Sequence, residues 1–346
     1  MILKDRIKFR LWLILVFIVR IVFAKRNFKV SIFRGLYFNF HGGFTSDQVA
    51  LYHLTKENKK MYLSELDWYK SRRINYPNSH MLNDKLKCTE IIKKYVMVPK
   101  TVLKKQNNIL VTDNNEKITI DEAIELIQNN KSCFFKPIAQ GKGRGILKIE
   151  YIKKDFYIDY EKASKNQIKE LLNLKDNYFI SQSVVQADYL KKIYDKTSNT
   201  IRLVTARDNN NQVKVLFAVQ RIGTKKTIPV DNGSRGGLVS KIDTKTGILS
   251  EAKSIQNNNT YIYHPDSNFK IKGICIPRWE EIKNEMIKVM KKLPQFKFIA
   301  WDILVTNDDF YILEANSSSG VNIIQVFGGE RYQELGKFYK EQGIIK

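Results

Sequence analysis

A chain of 346 residues with 43% hydrophobic and 12% aromatic content can bury one large domain or two to three intimate subdomains, which excludes a disordered polypeptide. Its 59 Lys and Arg against 35 Asp and Glu leave a net charge of +24, so the surface draws anions: nucleotides, acidic sugars, nucleic acid or an anionic bilayer. A Lys- and Asn-rich composition accounts for that charge equally well without any function.

Three widely separated cysteines, Cys88, Cys133 and Cys275, form no CxxC pair, which fits neither a disulfide framework nor a zinc site and points to a reducing cytoplasm. The four histidines show no metal-binding spacing and receive no role.

The N-terminus carries nine uninterrupted apolar residues, Leu11 to Val19, bracketed by Arg10 and Arg20. That is shorter than the roughly 20 residues of a spanning helix. No A-x-A site follows it, and Lys25-Arg26 continue the basic character. Two readings stay open for residues 1–25: a helix buried in the domain, which is favoured, or an interfacial anchor on anionic lipid.

Residues 26–95 read as loops and short helices, with an amphipathic stretch from about Ser46 and a helix over Asp84 to Lys94. Beyond a boundary near residue 95, "VMVPKTVL" is extended and broken at Pro99. A helix follows at about Ile120 to Gln128, then the strand "SCFFKP", a glycine-rich loop, the strand "GILKIEY", a helix at Lys165 to Leu174 and the strand "YFISQSVV". The strands "TIRLVTARD" and "VKVLFAVQRIG", a helix from Arg278 to Leu293 and a final hairpin complete an α+β pattern.

The final hairpin, "WDILVTNDDFYILEANSSSG", places an acid in each apolar run. A three-residue loop, Asn307 to Asp309, would pair Thr306 with Phe310 and set Asp302 opposite Glu314, with Asn316 two residues on along the same face as Phe310 and Ile312. Directly opposed acids destabilise a hairpin unless a cation lies between them, and oxygen ligands without His or Cys suit Mg²⁺. Solvated acids on an exposed face are the alternative.

Lys136 closes the Phe-Phe strand, and Gly141, Gly143 and Gly145 alternate with Lys142 and Arg144 in the loop after it. Glycines there let backbone N–H groups approach a phosphate, and the lysine supplies charge. The loop returns into a strand and lacks GxxxxGK[ST], so neither a P-loop nor a Rossmann fingerprint fits.

A lysine strand with a glycine flap, followed much later by an acid-acid-asparagine hairpin, resembles the ATP-grasp superfamily. The matching pieces are Asp84-Lys85, Lys136-Pro137 with "GKGRG", "YFISQSVVQ", and Asp302, Glu314 and Asn316, covering roughly residues 84–330. The segments "RRINYPNSHMLNDK", "SNTIRLVTA" and "VDNGSRGGLVSKIDTKTG" resemble the sugar-transfer-associated branch.

The resemblance implies two α+β subdomains, 96–180 and 181–346, gripping a nucleotide behind the N-terminal helical region. It implies that Lys85 and Lys136 hold phosphates under the flap Gly141 to Gly145, and that Gln182, Ser183, Val184 and Val185 form the adenine hinge, with Gln186 or Asp188 near ribose. Many relatives carry an acid where Gln182 stands.

Arg202 would lie by the transferred phosphate, and Arg221, Asn232 and Arg235 on the acceptor side. ATP and two Mg²⁺ ions, with Mn²⁺ as a substitute, are the implied cofactors. The implied reaction joins a carboxylate to an amine, with a uronic acid of a capsule or O-antigen unit, free or lipid-linked, and an amino acid as partners. The expected location is the cytoplasm at the inner face of the membrane. A sugar kinase is the alternative enzyme. A nucleic-acid-binding protein is the alternative outside enzymes, and it lacks a binding motif.

Overall fold

The computed structural model describes residues 3–138 and 143–346. Helices α1 (Leu3–Val16), α2 (Ile32–Phe40), α3 (Ser46–Leu51), α4 (Glu65–Ser71), α5 (Ser79–Asn83) and α6 (Lys85–Ile92) precede the first strand. A π-helical turn, Phe17–Val22, extends α1.

The first sheet contains β1 (Thr101–Gln106), β2 (Ile109–Thr112), β3 (Ser132–Pro137), β4 (Leu147–Ile152), β5 (Asp155–Ile158), β6 (Glu161–Ala163) and β7 (Tyr178–Gln182). Its spatial order is β2-β1-β7-β3-β4-β5-β6, with every pair antiparallel. Helices α7 (Ile120–Asn130) and α8 (Lys165–Leu174) cover one face. Both begin with a capping box, Thr119 with Glu122 and Ser164 with Gln167.

Strand alternation decides what this sheet offers its other face. Cys133 and Phe135 on β3, with Tyr178 and Ile180 on β7, enter the core beneath α7 and α8. Phe134, Lys136, Phe179 and Ser181 therefore face away from it, into a cavity.

After α9 (Asp188–Ile193), the second sheet contains β8 (Ile201–Arg207), β9 (Val213–Ile222), β10 (Leu238–Ile242), β11 (Leu249–Ser254) and β12 (Thr260–Tyr261). Helix α10 (Trp279–Lys291) then leads to β13 (Phe298–Val305) and β14 (Phe310–Asn316), and α11 (Asn322–Gln325) and α12 (Glu334–Glu341) end the fold. The order is β12-β11-β10-β9-β8-β13-β14, again antiparallel throughout.

One face of the second sheet, with Ile201, Leu203, Ile299, Trp301 and Ile303, packs on α10. The other face buries Val204, Val219, Phe298 and Ala300 under α11 and α12 at one end. Arg202, Arg221 and Asp302 lie on this same face beyond the helices, where the first sheet approaches.

The segment 183–187 carries the chain from one sheet to the other. Ala187 N donates to Val305 O (2.8 Å) and Asp188 N to Asn307 Oδ1 (2.9 Å), fixing the crossing to the tip of the β13–β14 hairpin.

The reading of residues 1–25 as a buried helix is corrected. Val16 and Ile21 are buried, but Ile7, Leu11, Ile14, Leu15, Ile18 and Val19 are exposed. No described helix is long and apolar enough to cross a membrane.

Candidate nucleotide site between two sheets

The hairpin register differs from the expected one at the turn and regains it at the acids. Val305 pairs with Phe310, so the loop has four residues rather than three. A bulge between Asp302 and Ile303 leaves Leu313 without a direct partner and brings Asp302 opposite Glu314. Phe310, Ile312 and Ala315 point into the α10 core, while Leu313 and Glu314 line the cavity. The expectation that Glu314 shares a face with Phe310 and Ile312 is thus overturned, because the bulge flips everything beyond it.

Each acid is met by a cation of the chain itself. Asp302 accepts from Arg202 Nε (2.6 Å) and Nη2 (3.0 Å), and from Arg221 Nη1 (3.1 Å). Arg221 Nη2 reaches Asp231 Oδ1 at 2.5 Å, and Asp231 Oδ2 accepts from Thr200 N (2.7 Å) and Oγ1 (2.6 Å). Burial raises the Asp302 pKa, but Arg202 and Arg221 together overcome it and hold the carboxyl below its ordinary range. At Asp231 burial wins over Arg221 and Thr200, and the pKa is raised.

Glu314 Oε1 lies 3.6 Å from Lys85 Nζ, which also donates to Pro137 O (3.2 Å). Asn316 adds a buried Nδ2 without a partner among the described residues. The two ends of an amide are isosteric, so a flip would turn Oδ1 to the same place. Asp302 and Glu314, opposite each other on the hairpin, and Asn316 two residues on carry the oxygens that would hold Mg²⁺, with Arg202 and Arg221 sharing Asp302. Arg202, Arg221 and Lys85 supply positive charge beside the two opposed acids.

Lys136 points its ammonium between the rings of Phe134 (5.9 Å) and Phe179 (5.7 Å) and makes no ion pair among the described residues. Burial, reinforced by Lys85 and opposed by Glu314, pushes its pKa down to about 8. An incoming phosphate would reverse that shift, so nucleotide binding takes up a proton at about pH 8.5, where the free lysine is mostly neutral. Calorimetry in two buffers of different ionisation enthalpy is expected to read an uptake approaching one proton per nucleotide, absent in Lys136→Met.

The cavity joins both sheets: Lys85, Lys136, Gly143, Thr200, Arg221, Asn232, Asp302 and Glu314 line it, with Phe134, Phe179, Leu304 and Leu313 as apolar wall. Gln182 and Val184 belong to it and to an adjoining recess, which Ser183, Val185 and Gln186 border with Met97, Pro99 and Tyr311. Gly143 adopts φ +64° with Val230 3.0 Å from where a Cβ would stand, and Arg235 Nη1 reaches its carbonyl (3.5 Å). The flap stem thus rests on the loop of Asn232, whose Oδ1 accepts from Ser234 N (2.9 Å). Arg144 and Gly145 are exposed, whereas Gly141 and Lys142 lie outside the described residues.

Other expected residues stand elsewhere. Arg202 backs Asp302 from behind the cavity wall, with Nη1 on Ser319 Oγ (3.3 Å). The Gln186 amide is buried and spent on Tyr194 O, Thr197 O and Asn199, which corrects its placement near ribose. Asp188 is exposed and pairs with Lys191 (3.0 Å). Asp231 and Thr200 escaped the sequence reading, although Asp231 directly precedes Asn232 in the "VDNGSRGG" turn. Cys88, its thiol pushed up to about 12 chiefly by burial, is no nucleophile.

Two antiparallel sheets closing on a cavity lined by Lys85, Lys136, Gly143 and an acid-bearing hairpin define an ATP-grasp enzyme. The chain belongs to the sugar-transfer-associated ATP-grasp family, whose model matches residues 67–337.

Among solved structures, the chain is similar to D-alanyl-alanine synthetase A from Vibrio cholerae O1 biovar eltor (14% identity, 79% of this chain and 67% of that one, TM-score 0.45). It is similar to N5-carboxyaminoimidazole synthetase from Staphylococcus aureus complexed with ADP (14%, 70% and 46%, TM-score 0.40). It is similar to ATP-grasp ligase PsnB complexed with a minimal precursor (12%, 74% and 59%, TM-score 0.39). The chain thus spans about half the length of the PsnB and carboxyaminoimidazole synthetase structures, and at these scores the likeness adds nothing to the family assignment. No curated protein matches.

Proposed function

We propose that the protein is a Mg-ATP-dependent carboxylate–amine ligase. The observation that carries the proposal is the convergence of Lys85, Lys136, Asp302 and Glu314 on one cavity that joins both sheets. A substrate carboxylate oxygen attacks the γ-phosphorus, the bond to the ADP oxygen breaks, and an acyl phosphate forms. The neutral amine nitrogen then bonds to the acyl carbon, the bond to the phosphate oxygen breaks, inorganic phosphate leaves, the nitrogen gives a proton to solvent or to the departing phosphate, and an amide results.

Lys136 and Lys85 hold phosphate oxygens, and the apolar wall of Phe134, Phe179 and Leu313 lowers the local dielectric so that their charge counts for more. Arg221 lies at the junction of the nucleotide cavity and the Asn232 loop, where a carboxylate can be set in line with the γ-phosphate. Asp302, Glu314 and Asn316 would hold Mg²⁺, which draws charge from the transferring phosphoryl group. A pair of ions, with Mn²⁺ as a substitute, belongs to this reading.

The family's sugar-transfer association supports a glycan setting. The acceptor is a uronic acid in a capsule or O-antigen unit, free or lipid-linked, joined to an amino acid in the cytoplasm at the inner face of the membrane. An ADP-release screen of uronic acid sugars against amino acids is expected to give turnover only with both partners present and an amide by mass spectrometry. A phosphorylated sugar formed without amine would overturn the ligase reading in favour of a kinase.

A further inference from the structure

The apolar run of α1 leaves its hydrophobic side uncovered. Ile7, Leu11, Ile14 and Ile18, with Leu15 beside them, recur at helical spacing and are 44–62% exposed. The opposite side holds α1 to the body: Val16 is buried, Trp12 meets Tyr69 edge-on at 5.9 Å, and Arg73 lies over Phe9 at 4.2 Å. The stripe continues onto α2, where Phe33 is 87% and Phe40 65% exposed, and Phe40 stands edge-on to Phe17 at 5.5 Å.

Isolated exposed apolar side chains need no explanation, but a stripe spanning two helices does. Its surroundings choose the partner. Residues 1–34 hold nine Lys or Arg and one acid, Asp5, and Lys8, Arg10, Arg20, Lys25, Arg26 and Lys29 are all exposed. An aliphatic stripe with an aromatic edge and a basic rim complements a surface whose interior is hydrocarbon and whose exterior is anionic.

We infer that the exposed faces of α1 and α2 dock the protein flat on an anionic lipid bilayer. The long apolar side chains enter the acyl boundary and the basic rim meets lipid phosphates. The helix lies in the interface and does not cross it, since its other side stays packed on α4. The stripe precedes the family-matched segment, so the ATP-grasp body is anchored by an element outside it. This gives the proposed inner-face location its physical means. Its test stands apart from the ligase reading, because lipid binding requires neither ATP nor an acceptor.

Flotation of the full chain with vesicles of phosphatidylcholine mixed with phosphatidylglycerol, and of phosphatidylcholine alone, reads this directly. Binding to the mixed vesicles is expected, much weaker binding to the neutral ones, and weakening with salt. The pair Leu11→Glu and Phe33→Ser is expected to lower the bound fraction about tenfold or more. Both side chains are exposed, so the thermal melt and the nucleotide affinity are expected to stay unchanged. Failure to float with the mixed vesicles, or flotation indifferent to the two substitutions, would overturn the inference. So would a dimer in sedimentation that the same substitutions dissociate while wild type ignores vesicles, because the stripe would then cover a second copy.

Discussion

Replacing Glu314 by Gln is expected to reduce ADP formation by about three orders of magnitude while leaving the fold in place. The side chain is 33% exposed and its contact with Lys85 is 3.6 Å, so the lost ion pair costs about 1 kcal/mol or less. What the change removes is one of two carboxylates facing the same point from paired strands. Glu314 also props up the Lys136 pKa, so its loss leaves that lysine less protonated and raises nucleotide-linked proton uptake near pH 8. Steady-state ADP release and calorimetry on the same variant separate the two effects. Full activity in Glu314→Gln would remove the hairpin from the chemistry.

Arg221→Met is expected to act on stability as well as on turnover. Its guanidinium lies between Asp231 and Asp302, whose side chains are 3% and 8% exposed, and breaking such a buried set costs about 3–5 kcal/mol. A fall in Tm of roughly 4–7 °C follows for a chain of this length.

The loss has a predicted pH dependence. Asp231 already has a raised pKa, and without Arg221 it rises further. A carboxyl with a raised folded pKa contributes stability below its unfolded pKa, near 3.8, and loses it as pH climbs through the folded value. The variant is therefore expected to lose more at pH 8 than at pH 5, and Asp231→Asn is expected to recover part of the loss, since an amide oxygen can still accept from Thr200. Equal loss at both pH values, with no recovery, would place the destabilisation elsewhere.

These two positions show how far the sequence could be read. Lys136 at the end of the Phe-Phe strand was legible because strand period is local, and Asp302 opposite Glu314 because a hairpin is nearly so. The bulge at Leu313 was not legible: one unpaired residue reverses the faces on one side of it, and it compensates for a loop one residue longer than expected. The pairing of Arg202 and Arg221 with Asp302 spans 100 and 81 residues, which no local pattern encodes.

Gln186 sits beside the hinge in sequence, yet its amide is drawn into the buried set of Tyr194, Thr197 and Asn199. For α1 the helical period was legible but not which side the body would cover. The answer lay in Tyr69 and Arg73, whose positions depend on the whole fold.

The central claim is that a carboxylate is activated by phosphoryl transfer in the cavity that joins the two sheets. The direct measurement supplies the acceptor found by the ADP-release screen with ¹⁸O in its carboxylate, and follows the inorganic phosphate by mass spectrometry or phosphorus NMR. Acyl phosphate chemistry predicts one ¹⁸O carried into phosphate for each amide formed, with the rate of labelled phosphate release falling about a thousandfold in Glu314→Gln. Unlabelled phosphate released alongside amide would contradict it.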